Sequence, residues 1–323
     1  MNQYKWLPTT CAPQCYPVKL MDGAFYFNTD EPTVFIPRGN VCNNGWGEIG
    51  LTNLTETELF SIPQQFDLTW FSFTEDVFYK GVFTIPVEKV EQLFEKGFKH
   101  PDTNELVTYE YLITGMGPEG FICLWAAGHG IVTELAIFNA TAVKIDWERF
   151  NDDEDTTRKE FIEQQLQTIL KEEDLLLLET NRKKFGLWKR YHERYNWLPV
   201  FLGNIQPVNI RINTFNGEKE FIRLAEKMLP LDRQRSMMKS MIYRWKSTAN
   251  KNFVSKLFFN EQEVLSIFKK YNDFTANDEY KLQIELNADD HVLRLFLTND
   301  QFFYEFKNCV VKIFSEKSKD EKN

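Results

Sequence analysis

Apolar and polar residues alternate with a period of two along much of this chain, and clusters of turn residues interrupt the alternation. Between Tyr16 and Pro37 the runs 18–21, 24–27 and 33–36 read as strands, separated by Asp22-Gly23 and Asp30-Glu-Pro32. Leu68, Trp70, Phe71 and Phe73 form one arm of a predicted hairpin over 67–85, with its turn at Thr74-Glu-Asp76 and its second arm over 78–85. Pro86 then opens a helix over 87–96, because a missing N–H costs nothing in a first helical turn. Val90, Leu93 and Phe94 mark one apolar stripe on it and Gly97 stops it. Further strands are predicted over 107–114 and 121–125.

The pattern then echoes itself. Thr69 to Ile145 has a counterpart between Tyr243 and Ile313 in the same order of elements. An aromatic strand (Thr69-Trp-Phe-Ser, Tyr243-Arg-Trp-Lys) leads to a second apolar strand and a short helix, with cores Val90-Glu-Gln-Leu-Phe-Glu-Lys96 and Val264-Leu-Ser-Ile-Phe-Lys-Lys270. A two-strand pattern follows from Tyr109 and from Tyr280, and both halves close on Val-Lys-Ile, at 143–145 and 311–313.

Between the halves the period changes. Asn151 to Asp155 is an acidic linker, and Thr157-Arg-Lys-Glu160 is a capping box in which hydroxyl and carboxylate serve free N–H groups at a helix start. Ile162, Leu166, Ile169 and Leu170 recur at helical spacing. A second helical run over 181–195 sets Phe185, Trp188, Tyr191 and Tyr195 among arginines and lysines. Beyond it, Asn209 to Arg223 reads as a hairpin turning at Asn216-Gly217, 229–241 as a basic helix, and 280–297 as a hairpin across Asn287-Ala-Asp-Asp290.

These elements predict an α+β fold, mostly antiparallel β, with two related hairpin-helix-hairpin lobes joined by a helical charged segment. The expected domains are an N-terminal β-rich lobe over 1–150, a helical connector over 151–202, a C-terminal α+β lobe over 203–315 and a disordered tail over 316–323.

Composition agrees with sheets: the 323 residues include 29 Phe, 12 Tyr and 8 Trp, whose flat rings pack well on a pleated surface. A formal net charge of −9 argues against nucleic acid or an anionic membrane as partner and suits a basic protein. The acidic run upstream of the 181–195 segment likewise offsets its basic and aromatic residues, so no nucleic-acid site is expected there. Five cysteines, 11, 15, 42, 123 and 309, show no zinc spacing and read as reduced, mostly buried thiols. With no signal-peptide run and no apolar span, a cytoplasmic protein without a membrane span is expected.

Candidate chemistry is sparse. Gly115-Met-Gly117-Pro-Glu-Gly120 satisfies the dinucleotide pattern G-x-G-x-x-G, but it lies between two strands instead of before a helix, so it reads as a hairpin turn and no cofactor is expected. Trp46, between Gly45 and Gly47, either covers the core or touches a ligand. His129, between Gly128 and Gly130, and Glu134 nearby are candidate acid–base groups, against the reading of a polar hairpin tip. Asp289 and Asp290 lack a third oxygen donor at fixed spacing, so they read as a turn and no metal site is expected.

Several segments have a further resonance. The opening Lys5 to Pro13 with Tyr16-Pro-Val18, the stretches 67–79 and 115–125, Leu187-Trp-Lys-Arg-Tyr191 with Tyr195-Asn-Trp197, and Phe215-Asn-Gly-Glu218 together resemble a bacterial domain-of-unknown-function family, number 2931. The resemblance assigns no catalytic residue to any position. It implies an immunity protein of the kind encoded beside secreted antibacterial effectors, often as lipoproteins, although no lipobox precedes any cysteine here. Two functions are therefore expected to compete: a non-catalytic module that neutralises a cognate toxin by occluding it, and a hydrolase or carbohydrate or small-ligand binder with a site between lobes.

Overall fold

A computed structural model describes residues 2–28, 33–52, 59–151, 156–181, 186–224, 234–271, 279–287 and 292–316. The expected turns at 30–32 and 288–290, most of the 151–155 linker, the basic positions 182–184 and the tail beyond 316 lie outside the described residues. The chain divides into two compact units, Met1–Arg190 and Tyr191–Asn323. No helix among the described residues is long and apolar enough to cross a membrane.

The first unit runs β1 (Leu7–Cys11), β2 (Val18–Tyr26), β3 (Val34–Phe35), β4 (Val41–Cys42), β5 (Gln65–Ser72), β6 (Val77–Thr84), α1 (Val87–Lys96), β7 (Phe98–Lys99), β8 (Leu106–Val107), β9 (Tyr111–Met116), β10 (Phe121–Gly128), β11 (Ile131–Asn139), β12 (Thr141–Val143), α2 (Arg158–Ile169) and α3 (Glu172–Asn181). One sheet has the order β12-β6-β5-β2-β3, with β4 also on β2. A second runs β1-β9-β10-β11, in which β1 joins β9 in parallel and the other pairs are antiparallel. The expected mostly antiparallel α+β class is therefore what the chain forms.

Successive side chains of a strand point to opposite faces, and the first sheet buries both. Phe66, Leu68 and Trp70 join Trp6, Phe25 and Phe83, residues of the second sheet such as Leu112, Ile122 and Leu124, and Val90 and Phe94 of α1 in one core. Phe71, Phe73 and Phe78 turn the other way and meet Phe150 with Ile162, Leu166 and Leu170 of the α2 segment and Leu178 of α3. The Thr157–Glu160 capping box forms as expected. Its neighbour Arg158 holds Asp76 in the β5–β6 turn at 2.6 Å, with its guanidinium 5.0 Å from the Trp147 ring. Cys15 Sγ donates to Asp174 Oδ1 of α3 at 3.2 Å.

After α4 (Leu187–Tyr191), the second unit contains β13 (Trp197–Leu202), β14 (Ile205–Thr214), β15 (Lys219–Arg223), β16 (Met238–Ser247), β17 (Asn252–Phe258), α5 (Glu261–Tyr271), β18 (Tyr280–Asn287), β19 (Val292–Thr298), β20 (Phe303–Glu305) and β21 (Val310–Ser315). Its strands run β21-β17-β16-β14-β15 and β13-β18-β19-β20, with β13 parallel to β18. Position for position, these are the two pairing orders of the first unit.

The correspondence extends well beyond the repeated segment legible in the sequence. Tyr4-Lys-Trp-Leu-Pro8 leads into β1 and Tyr195-Asn-Trp-Leu-Pro199 into β13. Trp6 Nε1 donates to the Ser61 carbonyl at 3.3 Å, and Trp197 Nε1 to that of Ser236 at 3.0 Å. Tyr4 bridges Phe60 and packs on Phe94 at 5.1 Å; Tyr195 bridges Arg235 and packs on Phe268 at 4.5 Å. Trp70 stacks on Tyr79 and Trp245 on Phe253. A bulge falls between Leu20 and Asp22 in β2 and between Pro207 and Asn209 in β14, each beside the residue that pairs with that tryptophan.

Four expectations change. Asp22-Gly23 is no turn: it lies inside β2 just past the bulge, where a Cβ on Gly23 would come within 2.9 Å of Leu68. Within 229–241, residues 238–241 begin strand β16 instead of continuing a helix, because pairing with β14 buries Met238 and Met241. The 181–195 run is helical only to Tyr191 in its described part, and Tyr195 sits in the bridge to Arg235. The two Val-Lys-Ile motifs both lie at the end of a sheet order but out of register, Val143 opposite Phe78 and Val311 opposite Leu257.

Two outcomes follow from this packing. Phe94→Ala and Phe268→Ala each remove a buried ring from equivalent places, and each is expected to cost about 3–5 kcal/mol in urea unfolding. Burial, then the hydrogen bond to Asp174, pushes the Cys15 thiol from its ordinary 9.0 up to about 12. The unfolded thiol therefore ionises above pH 9 while the folded one stays protonated, so this contribution is intact below pH 9 and is lost as pH rises toward 12. Urea midpoints measured across that window should fall less steeply for Cys15→Ala than for the parent chain.

Candidate functional site

Trp46 is held inward. Gly45 and Gly47 both adopt positive φ, at 110° and 74°, and let the loop double back over the outer face of β9 and β10. The indole meets Trp125 edge-on at 4.8 Å, with Trp188 at 5.4 Å and Phe121 at 6.2 Å. Tyr16 completes the cluster from the far side of Trp188 at 5.5 Å. The Gly47 N–H reaches Cys11 Sγ at 3.3 Å, and burial pushes the Cys11 thiol far above its ordinary range.

The same cluster explains the glycine motif. A Cβ on Gly115 would lie 2.4 Å from the Trp125 ring and 2.9 Å from Trp46, so the first glycine makes room for indoles, not for a pyrophosphate. Glu119 and Gly120, at φ 61° and 71°, turn the chain between the antiparallel strands β9 and β10. The motif is a hairpin connection packed under tryptophan.

His129 and Gly130 also share positive φ, at 49° and 78°, and form the two-residue tip between β10 and β11. His129 Nε2 lies 3.5 Å from Glu110 Oε1, its ring is 4.8 Å from that of His100, and its side chain is 25% exposed. The His100 ring is fixed in turn, its Nδ1 accepting N–H bonds from Asp102 at 3.1 Å and Thr103 at 3.2 Å. Glu134 stands elsewhere on β11, opposite Trp125 at an irregularity in the ladder. The fold thus brings Trp46 against the Trp125 ring, sets Glu134 across the ladder from Trp125, and leaves His129 at the hairpin tip with Glu110.

A different feature of the first unit faces solvent. Across β3, β2, β5 and β6, Phe35, Ala24, Asp67 and Val82 stand in one register row on the side away from the main core. Phe35 is 66% and Val82 63% exposed. Asp67 Oδ1 accepts from the Ala24 N–H at 3.0 Å and from the Tyr26 hydroxyl at 3.1 Å, which fixes the carboxylate between the two apolar ends of the row. Burial, followed by the Asp67 charge, raises the Tyr26 hydroxyl above its ordinary value. Asp22 adds a second carboxylate on the same side, 3.5 Å from Arg38. The sequence contained each of these residues within a strand, but no local signal tells which strands will lie side by side.

Sheets paired in this way and helices packed against one of them define a mostly antiparallel β protein. The chain belongs to the family described as Protein of unknown function (DUF2931), whose model matches residues 1–174. No curated protein and no solved structure matches it.

Because neither indole can retreat from a new methyl without unseating the other, Gly115→Ala should destabilise the first unit by about 1–3 kcal/mol. Urea unfolding checks the loss, and tryptophan emission should shift to the red as Trp46 and Trp125 gain water.

Proposed function

We propose that this is a non-catalytic binding protein that neutralises an antibacterial toxin by covering part of its surface. The observation that carries the reading is the row Phe35–Ala24–Asp67–Val82, whose Phe35 and Val82 side chains stand exposed at its two ends: a sheet face is a rigid platform, and rings and branched side chains on it bind without much loss of rotamer freedom. Asp67 holds a carboxylate in the middle of that platform, and the formal net charge of −9 supplies a negative field over longer range. Such a field speeds the approach of a basic partner and sets its orientation, while the desolvated apolar contacts hold it. The roles expected of immunity proteins in this family fit a surface of this kind.

The test is capture of a cognate toxin by the tagged chain, followed by mixing titration against the toxin's activity. A complex of fixed stoichiometry that abolishes toxicity is the expected result. Val82→Lys and Phe35→Lys, at exposed positions, should leave the unfolding midpoint in place and weaken the complex at least about 30-fold, as expected for apolar hot-spot positions. Full neutralisation by both variants would exclude this face.

A further inference from the structure

The corresponding face of the second unit has a different chemistry. There β14, β16, β17 and β21 are hollowed into an open groove of ≈ 420 Å³, with Ile242, Val254 and Phe314 as its apolar floor and Arg211, Arg244 and Lys256 around it. Register fixes their arrangement. Asn209, Arg244, Val254 and Phe314 form one row across the four strands, and Arg211, Ile242 and Lys256 form a neighbouring row. Arg244 therefore stands diagonally between the other two cations, and with strands about 4.8 Å apart the three charges crowd one small area.

Like charges so placed on a sheet face repel. Some compensation is internal: the Arg211 guanidinium lies 5.4 Å from the Phe221 ring, Lys256 Nζ 5.6 Å from the Phe314 ring, and Arg244 Nε 3.1 Å from Glu316 Oε1. Among the described residues, that glutamate is the one carboxylate paired with any of the three. The fold itself does not require the cluster. Aligned on Trp70 and Trp245, the first unit has Ala24, Thr69 and Val82 where the second has Arg211, Arg244 and Lys256, and Asp67 where the second has Ile242. Cations have been concentrated on one copy of a shared face, in a chain of net charge −9.

We propose that this groove binds an extended acidic peptide segment whose groove-facing side chains, at every second residue, include two successive carboxylates flanked by apolar groups. Side chains on one side of an extended chain recur about every 7 Å, and cations diagonal across one strand or opposite across two lie about 7–10 Å apart, so two successive carboxylates on that side meet two or more of Arg211, Arg244 and Lys256. Apolar side chains of the segment rest on Ile242, Val254 and Phe314. This site is separate from the toxin-covering face of the first unit, and its test uses no toxin, so either reading can fail without the other.

The experiment is fluorescence anisotropy of a labelled peptide Leu-Ser-Glu-Ser-Glu-Ser-Phe, which sets its apolar and carboxylate side chains on one side when extended, titrated with the full chain. Saturable one-to-one binding is expected, weakening with added salt as exposed charges are screened. The double variant Arg211→Glu with Lys256→Glu should lose at least about 30-fold in affinity, and Arg244→Gln about three- to tenfold, as expected for charges lining a binding face. The gentler pair Arg211→Gln with Lys256→Gln serves if charge reversal disturbs the circular dichroism spectrum. The proposal is overturned by an absence of saturable binding or by undiminished affinity in folded variants. Competition by inorganic phosphate at concentrations equal to the peptide would also overturn it, since the groove would then be a small-anion site.

Discussion

A strand that carries Trp70 and Phe71 side by side needs cover on both faces, and the first unit is organised around that need. One face meets the second sheet and α1; the other meets α2, α3 and Phe150. The helices have to be delivered to their place, and the contacts that do so are few and specific: the Arg158 bond to Asp76, the same guanidinium over Trp147, and the Cys15 thiol on Asp174. The second unit solves half of the problem in the same way. Met241, Tyr243 and Trp245 are buried on the inner face of β16, while Ile242 and Arg244 are left facing outward to line a groove.

Divergence between the units therefore falls where burial leaves freedom. The tryptophan that donates to a serine carbonyl, the tyrosine bridge beside it, and the Val and Phe of the short helix occur in both, and the tryptophan, valine and phenylalanine fill sites closed on every side. The outward rows share position but not character, one apolar with carboxylates and the other apolar with cations. A single architecture thus carries two different sets of outward side chains within one chain.

Much of this was legible in the residues. The hairpin over 67–85, the helix with Val90 and Phe94, its echo with Val264 and Phe268, and the capping box at Thr157 all rest on local periodicity and local hydrogen bonding, which a sequence displays directly. The parallel pairing of β1 with β9 depends on contacts distant in sequence, and so does the row Phe35–Ala24–Asp67–Val82. The repeated Tyr-x-Trp-Leu-Pro was open to view at positions 4 and 195, yet the segments that separate it from the helix differ in length between units and hide the match. Among the candidate site residues, Trp46 and His129 stood out because glycines flank them. In both cases the glycines serve backbone geometry, a loop folded over indoles and a tight hairpin tip.

The paired bulges act as parity switches. Before Met21 the core receives even-numbered residues, Val18 and Leu20; after it the core receives odd-numbered ones, with Phe25 fully enclosed. In the second unit the change occurs at Val208, beyond which Ile210 and Ile212 take the inner positions. One uncounted residue thus lets a single long strand obey two opposite alternation rules. To a reader following the alternation it looks like two strands with a turn between them, and to the protein it is a phase marker that decides which half of the strand's chemistry the solvent sees.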